Sequence, residues 1–207
     1  MKNRFDRKAK EMDSHPVIQE AARTFSRTLK KHIPLSGTMR VLDYGCGSGL
    51  AGMHLYKNVG SLVMLDTSEG MLDLVREKIA RHDISNIKVT NCDTSPVCGK
   101  EESFDLIYMS NVLHHIDDIP AFVRRLGSML KSGGYLCIGD LTKEPGTFHE
   151  DNTDVKHFGF DESALGDILK RNGFKNIQWE EYYVVNKPDK EGCIRSYPLF
   201  FMHAMKA

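Results

Sequence analysis

The sequence predicts a doubly wound α/β fold, in which helices cover both faces of a mostly parallel sheet that ends in an antiparallel hairpin. Short apolar segments alternate with helix-length segments between residues 39 and 141, and this alternation is typical of parallel strands joined by crossover helices. Several of the short segments are continuously apolar, as strands are when helices pack on both sides of them. The 207 residues fit a single domain, 1–207.

The elements follow in order along the chain. Residues 17–33 place apolar side chains at helical spacing between Pro16 and Pro34, which predicts an amphipathic helix. After it come predicted strands at 39–43, 61–66, 87–90, 104–110 and 134–140, with helices around 50–58 and over 69–82 and 119–130.

The last third of the sequence changes character. Residues 141–160 have no convincing period and are rich in turn formers and titratable groups, which predicts a surface loop or insert. A helix over 161–172 follows, and then strands over 175–185 and near 197–205. The segment between these two strands is too short for a crossover helix, so we expect them to pair antiparallel.

The charge balance argues against a polyanionic partner. The 28 Lys+Arg and 28 Asp+Glu give a formal net charge of zero, and hence no overall attraction for nucleic acid or an anionic membrane. The first 40 residues carry ten basic and four acidic side chains. We interpret this excess as a solvated helix face, with a basic rim around an anionic substrate as the alternative. No nucleic acid partner is expected.

Neither a disulfide framework, a metal site nor a membrane span is predicted. The five cysteines form no C-x-x-C pair, so we interpret them as reduced thiols and not as zinc ligands. No apolar run approaches the ~20 residues that cross a bilayer, and the charged start lacks the apolar segment of a secretory signal. We expect a cytoplasmic protein without membrane insertion.

The strongest functional signal is the segment VLDYGCGSG, residues 41–49, between the first strand of the core and the helix after it. Gly45, Gly47 and Gly49 allow a sharp turn and a close approach of a ligand to the backbone, which a Cβ would prevent. Asp43 would repel a pyrophosphate but could hold the ammonium group of an amino-acid-like ligand, directly or through water. A purely structural turn is the alternative.

Two further acids follow strand ends. Asp66 should face the same crevice, where its carboxylate could accept hydrogen bonds from both hydroxyls of a ribose. Its alternative role is to cap the next helix, although Ser68 could do so instead. Asp93 follows the third strand of the core and could accept a hydrogen bond from an adenine amino group, or be an ordinary loop residue.

These residues together resemble the class I, Rossmann-like, S-adenosylmethionine-dependent methyltransferases over roughly residues 39–141. The segments 104–118 and 130–140 look like that family's fourth motif and the stretch leading into its fifth strand. The resemblance implies S-adenosylmethionine as the cofactor and methyl transfer by direct in-line displacement. It also implies a cofactor site made of Asp43, Gly45, Cys46, Gly47, Gly49, Asp66, Thr67, Met71, Asp93, Thr94, Ser110 and Asn111.

The acceptor side follows from the same resemblance. His114 and His115 stand where the fourth motif opens toward the cleft, and each could be a general base or have a packing or cofactor-contact role. The opening FDRKAKEMD resembles the lid of small-molecule and quinone-type methyltransferases, although Met12 stands where those often have Trp or Tyr. We expect residues 1–35 to form a helical lid and residues 141–160 a substrate-side insert.

These two segments are expected to enclose a small-molecule acceptor that carries a negative group, with O, N, S or C as the accepting atom. The lid brings basic charge together with Phe5 and Met12. The insert brings the ring side chains of Phe148, His149, His157, Phe158 and Phe160.

Two other functions fit parts of the pattern. Gly47, Gly49 and Gly52 formally match the G-x-G-x-x-G of nicotinamide-dependent oxidoreductases, although DYGC intervenes where those proteins place the first glycine close to the strand end. The other alternative is a cofactor-binding scaffold that activates a partner without turnover, because a fold does not prove catalysis.

Overall fold

The computed structural model of the protein describes residues 4–92, 103–189 and 192–207, with side chains described from Ala9 onward. The helices in these ranges are α1 (Arg4–Ser14), α2 (Pro16–His32), α3 (Leu50–Leu55), α4 (Glu69–Arg81), α5 (Ile119–Met129) and α6 (Glu162–Arg171). The strands are β1 (Arg40–Tyr44), β2 (Ser61–Asp66), β3 (Ile87–Asn91), β4 (Phe104–Ser110), β5 (Leu130–Leu141), β6 (Phe174–Pro188) and β7 (Ile194–Lys206). Short 3-10 turns occupy Tyr56–Asn58 and Leu113–His115.

The strands form one sheet in the order β3-β2-β1-β4-β5-β7-β6. The first five are parallel, whereas β7 runs antiparallel to both β5 and β6. The predicted fold class and its closing hairpin are therefore confirmed. Because β1 lies between β2 and β4, the strand order reverses beside it, and a crevice opens there at the carboxyl ends of the strands.

Apolar side chains fill both faces of the sheet. On one face α5 and α6 bury Val123, Leu126 and Leu169 against the strands, and on the other α2 buries Phe25 and Leu29. This burial confirms the amphipathic helix predicted at 17–33. A Cβ at Gly139 of β5 would lie 2.6 Å from the ring of Phe25, so this glycine lets α2 pack closely on the sheet.

The structure differs from the predicted elements mainly in length. Helix α3 ends at Leu55 and continues as a 3-10 turn. Strand β5 begins at Leu130, four residues before the predicted start, with a register shift against β4 between Phe104 and Leu106. Strands β6 and β7 extend to Pro188 and Ile194, because an antiparallel pair can continue past the sheet on its own hydrogen bonds.

None of the helices in the described ranges is long and apolar enough to cross a membrane.

Candidate functional site

The glycine turn after β1 adopts backbone angles that favour glycine. Gly45, Gly47 and Gly49 have φ values of 69°, 52° and 80°, in the left-handed region that costs other residues energy. A Cβ at Gly45 would also lie 2.5 Å from a methyl carbon of Val112. The backbone N–H groups of Gly45 and Cys46 both donate to the carbonyl of Leu65, at 2.7 and 2.9 Å. The turn is thus fixed to the end of β2.

Asp66 braces this turn from the neighbouring strand. Its Oδ2 accepts a hydrogen bond from the N–H of Gly47 at 2.8 Å, and its Oδ1 accepts one from the N–H of Ser68 at 2.9 Å. The N-cap of α4 is Ser68, whose Oγ accepts from the N–H of Met71 at 3.3 Å. Capping of α4 by Asp66 is therefore not observed, and its carboxylate faces the crevice as predicted.

Asp43 is a buried acid at the bottom of the crevice. Its side chain is 3% exposed, and its Oδ2 accepts a hydrogen bond from the hydroxyl of Tyr108 at 2.8 Å. Burial raises the pKa of Asp43 to about 7; the nearby Asp66 carboxylate adds to the rise and the Tyr108 hydrogen bond opposes it. In the described part of the chain no Lys, Arg or His pairs with this carboxylate, so it could compensate a cationic ligand group.

A cavity of about 480 Å³ lies above the glycine turn. Its volume falls within the ~300–1,000 Å³ of typical small-molecule sites. From β1 and the turn, the predicted residues that line it are Asp43, Gly45, Cys46 and Gly47. From β2, α4 and the end of β4, they are Asp66, Thr67, Met71, Ser110 and Asn111. Most of the predicted cofactor residues therefore surround one cavity.

One predicted cofactor residue in the described ranges does not line this cavity. Gly49 is the N-cap of α3 and faces inward, since a Cβ there would lie 3.0 Å from Val75 and 3.3 Å from the sulfur of Met64. It therefore shapes the turn without lining the cavity. Asp93 and Thr94 lie outside the described residues.

The two candidate catalytic histidines occupy different positions. His115 lines the cavity and is partly exposed, whereas His114 is 2% exposed and lies behind the wall. Burial lowers the pKa of His115, and the adjacent His114 lowers it further, so His115 is neutral near pH 7. The geometry favours His115 over His114 as a residue that meets a ligand, because His115 lines the cavity. A neutral imidazole in that position can accept a proton.

The lid and the insert both reach the cavity, but with other side chains than predicted. The lid contributes Met12, Ile18 and Ala22, so its basic residues form no rim in the described part of the wall. The insert contributes Asp154 and Lys156. The predicted aromatic lining is wrong, because the five ring side chains of the insert lie elsewhere. Phe148 packs on Tyr197, Phe158 is 45% exposed and Phe160 joins the core. His157 bonds the carbonyl of Ile116, and His149 packs on His114. Phe5 has no described side chain.

Backbone hydrogen bonds hold the insert against the turn that carries the histidines. The N–H groups of Lys156 and His157 donate to the carbonyl of His114 at 2.9 and 3.2 Å. The side chain of His115 donates from Nδ1 to the carbonyl of Asp154 at 2.7 Å. The insert is therefore part of the site and not a separate loop.

Four functional candidates were missed in the sequence. Asp140 ends the apolar strand β5 in the way that Asp43 and Asp66 end theirs, so the same signal could have found it. Tyr108 sits inside an apolar strand, and only the register that places it opposite Asp43 gives it a role. Asp154 and Lys156 lie in a segment without period, where no local signal identifies the residues that face the cavity.

Within the described ranges, no group of three or more His, Cys, Asp or Glu side chains has the arrangement of a metal site. Burial raises the pKa of the Cys46 and Cys137 thiols well above the ordinary value, so both stay protonated at neutral pH.

Comparison with known proteins decides the family. A protein-family model described as a methyltransferase domain matches residues 41–134, which include the glycine turn, Asp66 and both histidines. The structure of an S-adenosylmethionine-dependent methyltransferase from Aquifex aeolicus aligns with a TM-score of 0.72 and 25% identity over 98% of each chain. The chain belongs to the class I S-adenosylmethionine-dependent methyltransferases. This membership sets aside the nicotinamide-dependent alternative, and S-adenosylmethionine is the cofactor of the family.

Curated relatives in this methyltransferase family act on different acceptors. The chain is 31% identical over 148 residues to phosphoethanolamine N-methyltransferase 1 of Zea mays, covering 69% of this chain and 29% of that protein. It is 26% identical over 132 residues to the ubiquinone biosynthesis O-methyltransferase of Dinoroseobacter shibae, covering 64% of this chain and 52% of that protein. The chain spans about half or less of the length of the curated relatives it matches.

Proposed function

We propose that this protein transfers a methyl group from S-adenosylmethionine to a small-molecule acceptor by direct in-line displacement. One observation carries the proposal. A single cavity is lined by Asp43, the glycine turn and Asp66, and also by His115, Asp154 and Lys156. A cofactor and an acceptor bound there would share one enclosure, as a displacement between them requires. Aligning two bound reactants can lower a barrier by roughly 7–11 kcal/mol.

The cofactor half fits S-adenosylmethionine in charge and shape. The buried Asp43 would hold the cofactor's ammonium group, and the glycine turn leaves room for its backbone to approach the methionine portion. Asp66 lines the cavity, where its two oxygens accept hydrogen bonds from backbone N–H groups, and its carboxylate would accept hydrogen bonds from the ribose hydroxyls. Thr67 and Met71 would flank the adenosine, and Ser110 and Asn111 the methionine.

The acceptor half fits a small molecule with a protonated nucleophile and a negative group. His115 presents an imidazole to the cavity, and Lys156 is a cation on the same wall. A phosphorylated amino alcohol, as named for the maize relative, has both features, so it is the first acceptor class to test. A phenol, as the quinone-type relative suggests, is the second. We propose that residues 1–35 act as the lid and 141–160 as the substrate-side insert of one methyltransferase domain.

The proposed methyl transfer requires the protein to bind the two reactants and to accept a proton. Bound S-adenosylmethionine supplies a methyl group made electrophilic by its sulfonium. Asp43 and Asp66 would orient it, while Met12, Ile18 and Ala22 exclude water from the site. His115 would take the proton from the attacking group, a role that contributes roughly 10²–10⁴-fold when the nucleophile arrives protonated.

Calorimetry with S-adenosylmethionine, S-adenosylhomocysteine and NADH tests the cofactor. We expect both adenosyl ligands to bind and NADH to give no heat. Release of S-adenosylhomocysteine is then followed with phosphoethanolamine and with a dihydroxybenzoate as acceptors. Binding of NADH alone would contradict the proposal. Tight binding of the adenosyl ligands without turnover on any acceptor would favour the scaffold alternative.

Replacement of Asp66 by Ala is expected to weaken S-adenosylmethionine binding by about 1.5–3 kcal/mol, roughly 10- to 150-fold, because hydrogen bonds to a charged acceptor are lost. The matched control is Ser68→Ala, which removes the cap of α4 and should cost about 1 kcal/mol of stability with little change in affinity. Calorimetry and thermal unfolding of both variants give the two quantities. An unchanged affinity in folded Asp66→Ala would limit Asp66 to a structural role.

Activity is expected to survive EDTA. The proposed displacement needs no Lewis acid, and the described residues contain no metal-ligand cluster. The measurement is the initial rate before and after dialysis against EDTA. A rate that falls with EDTA and returns on adding a divalent ion would contradict this prediction.

A further inference from the structure

Three imidazole rings meet beside the cavity. The ring centroids of His114 and His115 are 4.1 Å apart, and the ring of His149 lies 4.9 Å from His114 and 6.1 Å from His115. The first two come from the turn after β4, and the third comes from the insert. Only His115 of the three lines the cavity, so the other two act on a ligand through it or not at all.

A buried carboxylate lies behind this cluster. Asp140, at the carboxyl end of β5, is fully buried and accepts three N–H hydrogen bonds. Two come from His114, from its backbone N–H at 3.2 Å and its Nδ1 at 2.8 Å, and one comes from the backbone N–H of Leu141 at 2.8 Å. No Lys or Arg among the described residues pairs with it. Asp140 thus places a negative charge beside the imidazoles without a permanent cation.

This contact fixes the tautomer of His114. A carboxylate only accepts hydrogen bonds, so Nδ1 of His114 carries a proton, and in the neutral ring the lone pair is then on Nε2. That Nε2 is buried and has no hydrogen-bond partner among the described residues. The ring of His114 therefore cannot turn without breaking its hydrogen bond to Asp140, and it packs against the ring of His115.

His115 is fixed in the same way from the insert. Its Nδ1 must donate, since its partner is the carbonyl of Asp154 at 2.7 Å, and the lone pair is left on Nε2. The charged and titratable groups around this ring are the carboxylates of Asp140 and Asp154, the other two histidines, and Lys156 on the cavity wall. Burial lowers the pKa of His149 to about 4, so that ring stays neutral at neutral pH and adds no competing charge.

We propose that Asp140 and His114 are positioning residues that hold His115 ready to receive the proton released in methyl transfer. The inference rests on the proposed function. The lone pair of the nucleophile forms the bond to the methyl carbon, and the carbon–sulfur bond breaks with its electrons on sulfur. The proton passes to Nε2 of His115. Asp140 compensates the imidazolium through the intervening ring of His114, and the proton leaves to solvent after product release.

Imidazole NMR on the full chain loaded with S-adenosylhomocysteine tests the positioning role without an acceptor. The variant is Asp140→Asn, and the matched control is Asp117→Asn, which removes an exposed carboxylate two residues after His115. Asp140→Asn should lower the titration midpoint of His115 and weaken the preference of His114 for its Nδ1–H tautomer, because an amide can donate as well as accept. Asp117→Asn should leave both as in the wild type, and Asp140→Glu should restore the midpoint at least in part.

With an acceptor that the wild type methylates, Asp140→Asn should reduce kcat about tenfold or more, with a smaller change in KM. This loss would be part of the roughly 10²–10⁴-fold contribution of a positioned base. The acid limb of its pH profile should move to lower pH, because a base with a lower pKa stays deprotonated further into acid. A general loss of packing would lower kcat without moving the limb.

A His115 midpoint in Asp140→Asn that equals those of the wild type and Asp117→Asn would overturn the proposal. If Asp140→Asn fails to fold, His114→Asn carries the test, because it keeps a donor for Asp140 and removes the ring. It should raise the His115 midpoint, because His114 lowers the pKa of His115, while the carbonyl of Asp154 keeps the Nδ1–H tautomer of His115; an unchanged midpoint would contradict the positioning role. A wild type that binds neither adenosyl ligand would contradict the proposed function instead.

Discussion

Replacing Asp43 by Asn is expected to weaken S-adenosylmethionine binding by about 30- to 4,000-fold at pH 8. Removing one member of a buried charge pair costs roughly 2–5 kcal/mol, much of it because the remaining charge is left unpaired. Asp43 is 3% exposed, so bulk water cannot replace it as the partner of an ammonium group. Calorimetry with S-adenosylmethionine measures the loss, and unchanged binding would remove Asp43 from the cofactor site.

The same residue makes binding depend on pH. Burial raises the pKa of Asp43 to about 7 without ligand, and only the ionised form attracts a cation. Wild-type affinity should therefore rise as the pH increases through about 7, whereas Asp43→Asn should lack this rise. Tyr108→Phe is the control, because it removes the hydrogen bond that favours the ionised form of Asp43. In this variant the rise in affinity should occur at higher pH. At a pH high enough to ionise Asp43, the affinity should be close to that of the wild type.

Stability of the free protein should change in the opposite direction. The folded-state pKa of Asp43 lies above the unfolded value of 3.8, so its stabilising contribution is complete below about pH 4 and is lost as the pH rises through about 7. Asp43→Asn should thus be more stable than the wild type at pH 8, by up to about 4 kcal/mol, and similar at pH 4. Denaturant unfolding at the two pH values measures the difference. Equal stabilities at pH 8 would contradict the raised pKa.

The fold was predictable because its signals are local. Strands β1, β2 and β4 are short apolar runs, and the glycines between β1 and α3 need backbone angles that other residues avoid. The sheet order explains why strand-end acids meet: Asp43 and Asp66 end adjacent parallel strands, so a sequence argument could place both at one crevice.

What the sequence did not predict depends on register and on irregular backbone. The bond between Tyr108 and Asp43 requires the pairing of β1 with β4, and each strand taken alone gives no sign of it. The insert was expected to present its aromatic rings, yet Asp154 and Lys156 reach the wall. Its path is set by hydrogen bonds to the carbonyl of His114, between segments about 40 residues apart, which no local pattern encodes.

Deleting residues 1–13 is the second change with a large expected effect. Helix α1 lies on α4, where Ala9 is buried against Met71 and Leu74, and Met12 forms part of the cavity wall. Asp13 forms an ion pair with Lys78, which also donates to the carbonyl of Ser48 in the glycine turn at 2.9 Å. Deletion would therefore open the cavity to water. It would also remove the ion pair that holds Lys78 beside the glycine turn.

We expect the truncated protein to lose turnover by about 100-fold or more, since small misplacements of bound reactants already cost that much. The core should stay folded, because the described side chains of α1, from Ala9 onward, belong to the small cluster around Ala9 and not to the two large clusters on the sheet. Circular dichroism tests the fold, and S-adenosylhomocysteine release tests turnover. Asp13→Asn is the matched control, which breaks the ion pair alone and should keep most activity.

Hydrogen exchange tests the wider role of the lid and the insert. With S-adenosylhomocysteine and acceptor bound together, amides near Met12 and near Asp154 should both gain protection, since both line the cavity. Full activity in the truncated protein, or protection in neither segment, would show that these segments do not enclose the acceptor. Residues 183–196 would then be the next segment to test, because Lys187 within this range bonds the carbonyl of Phe148 in the insert.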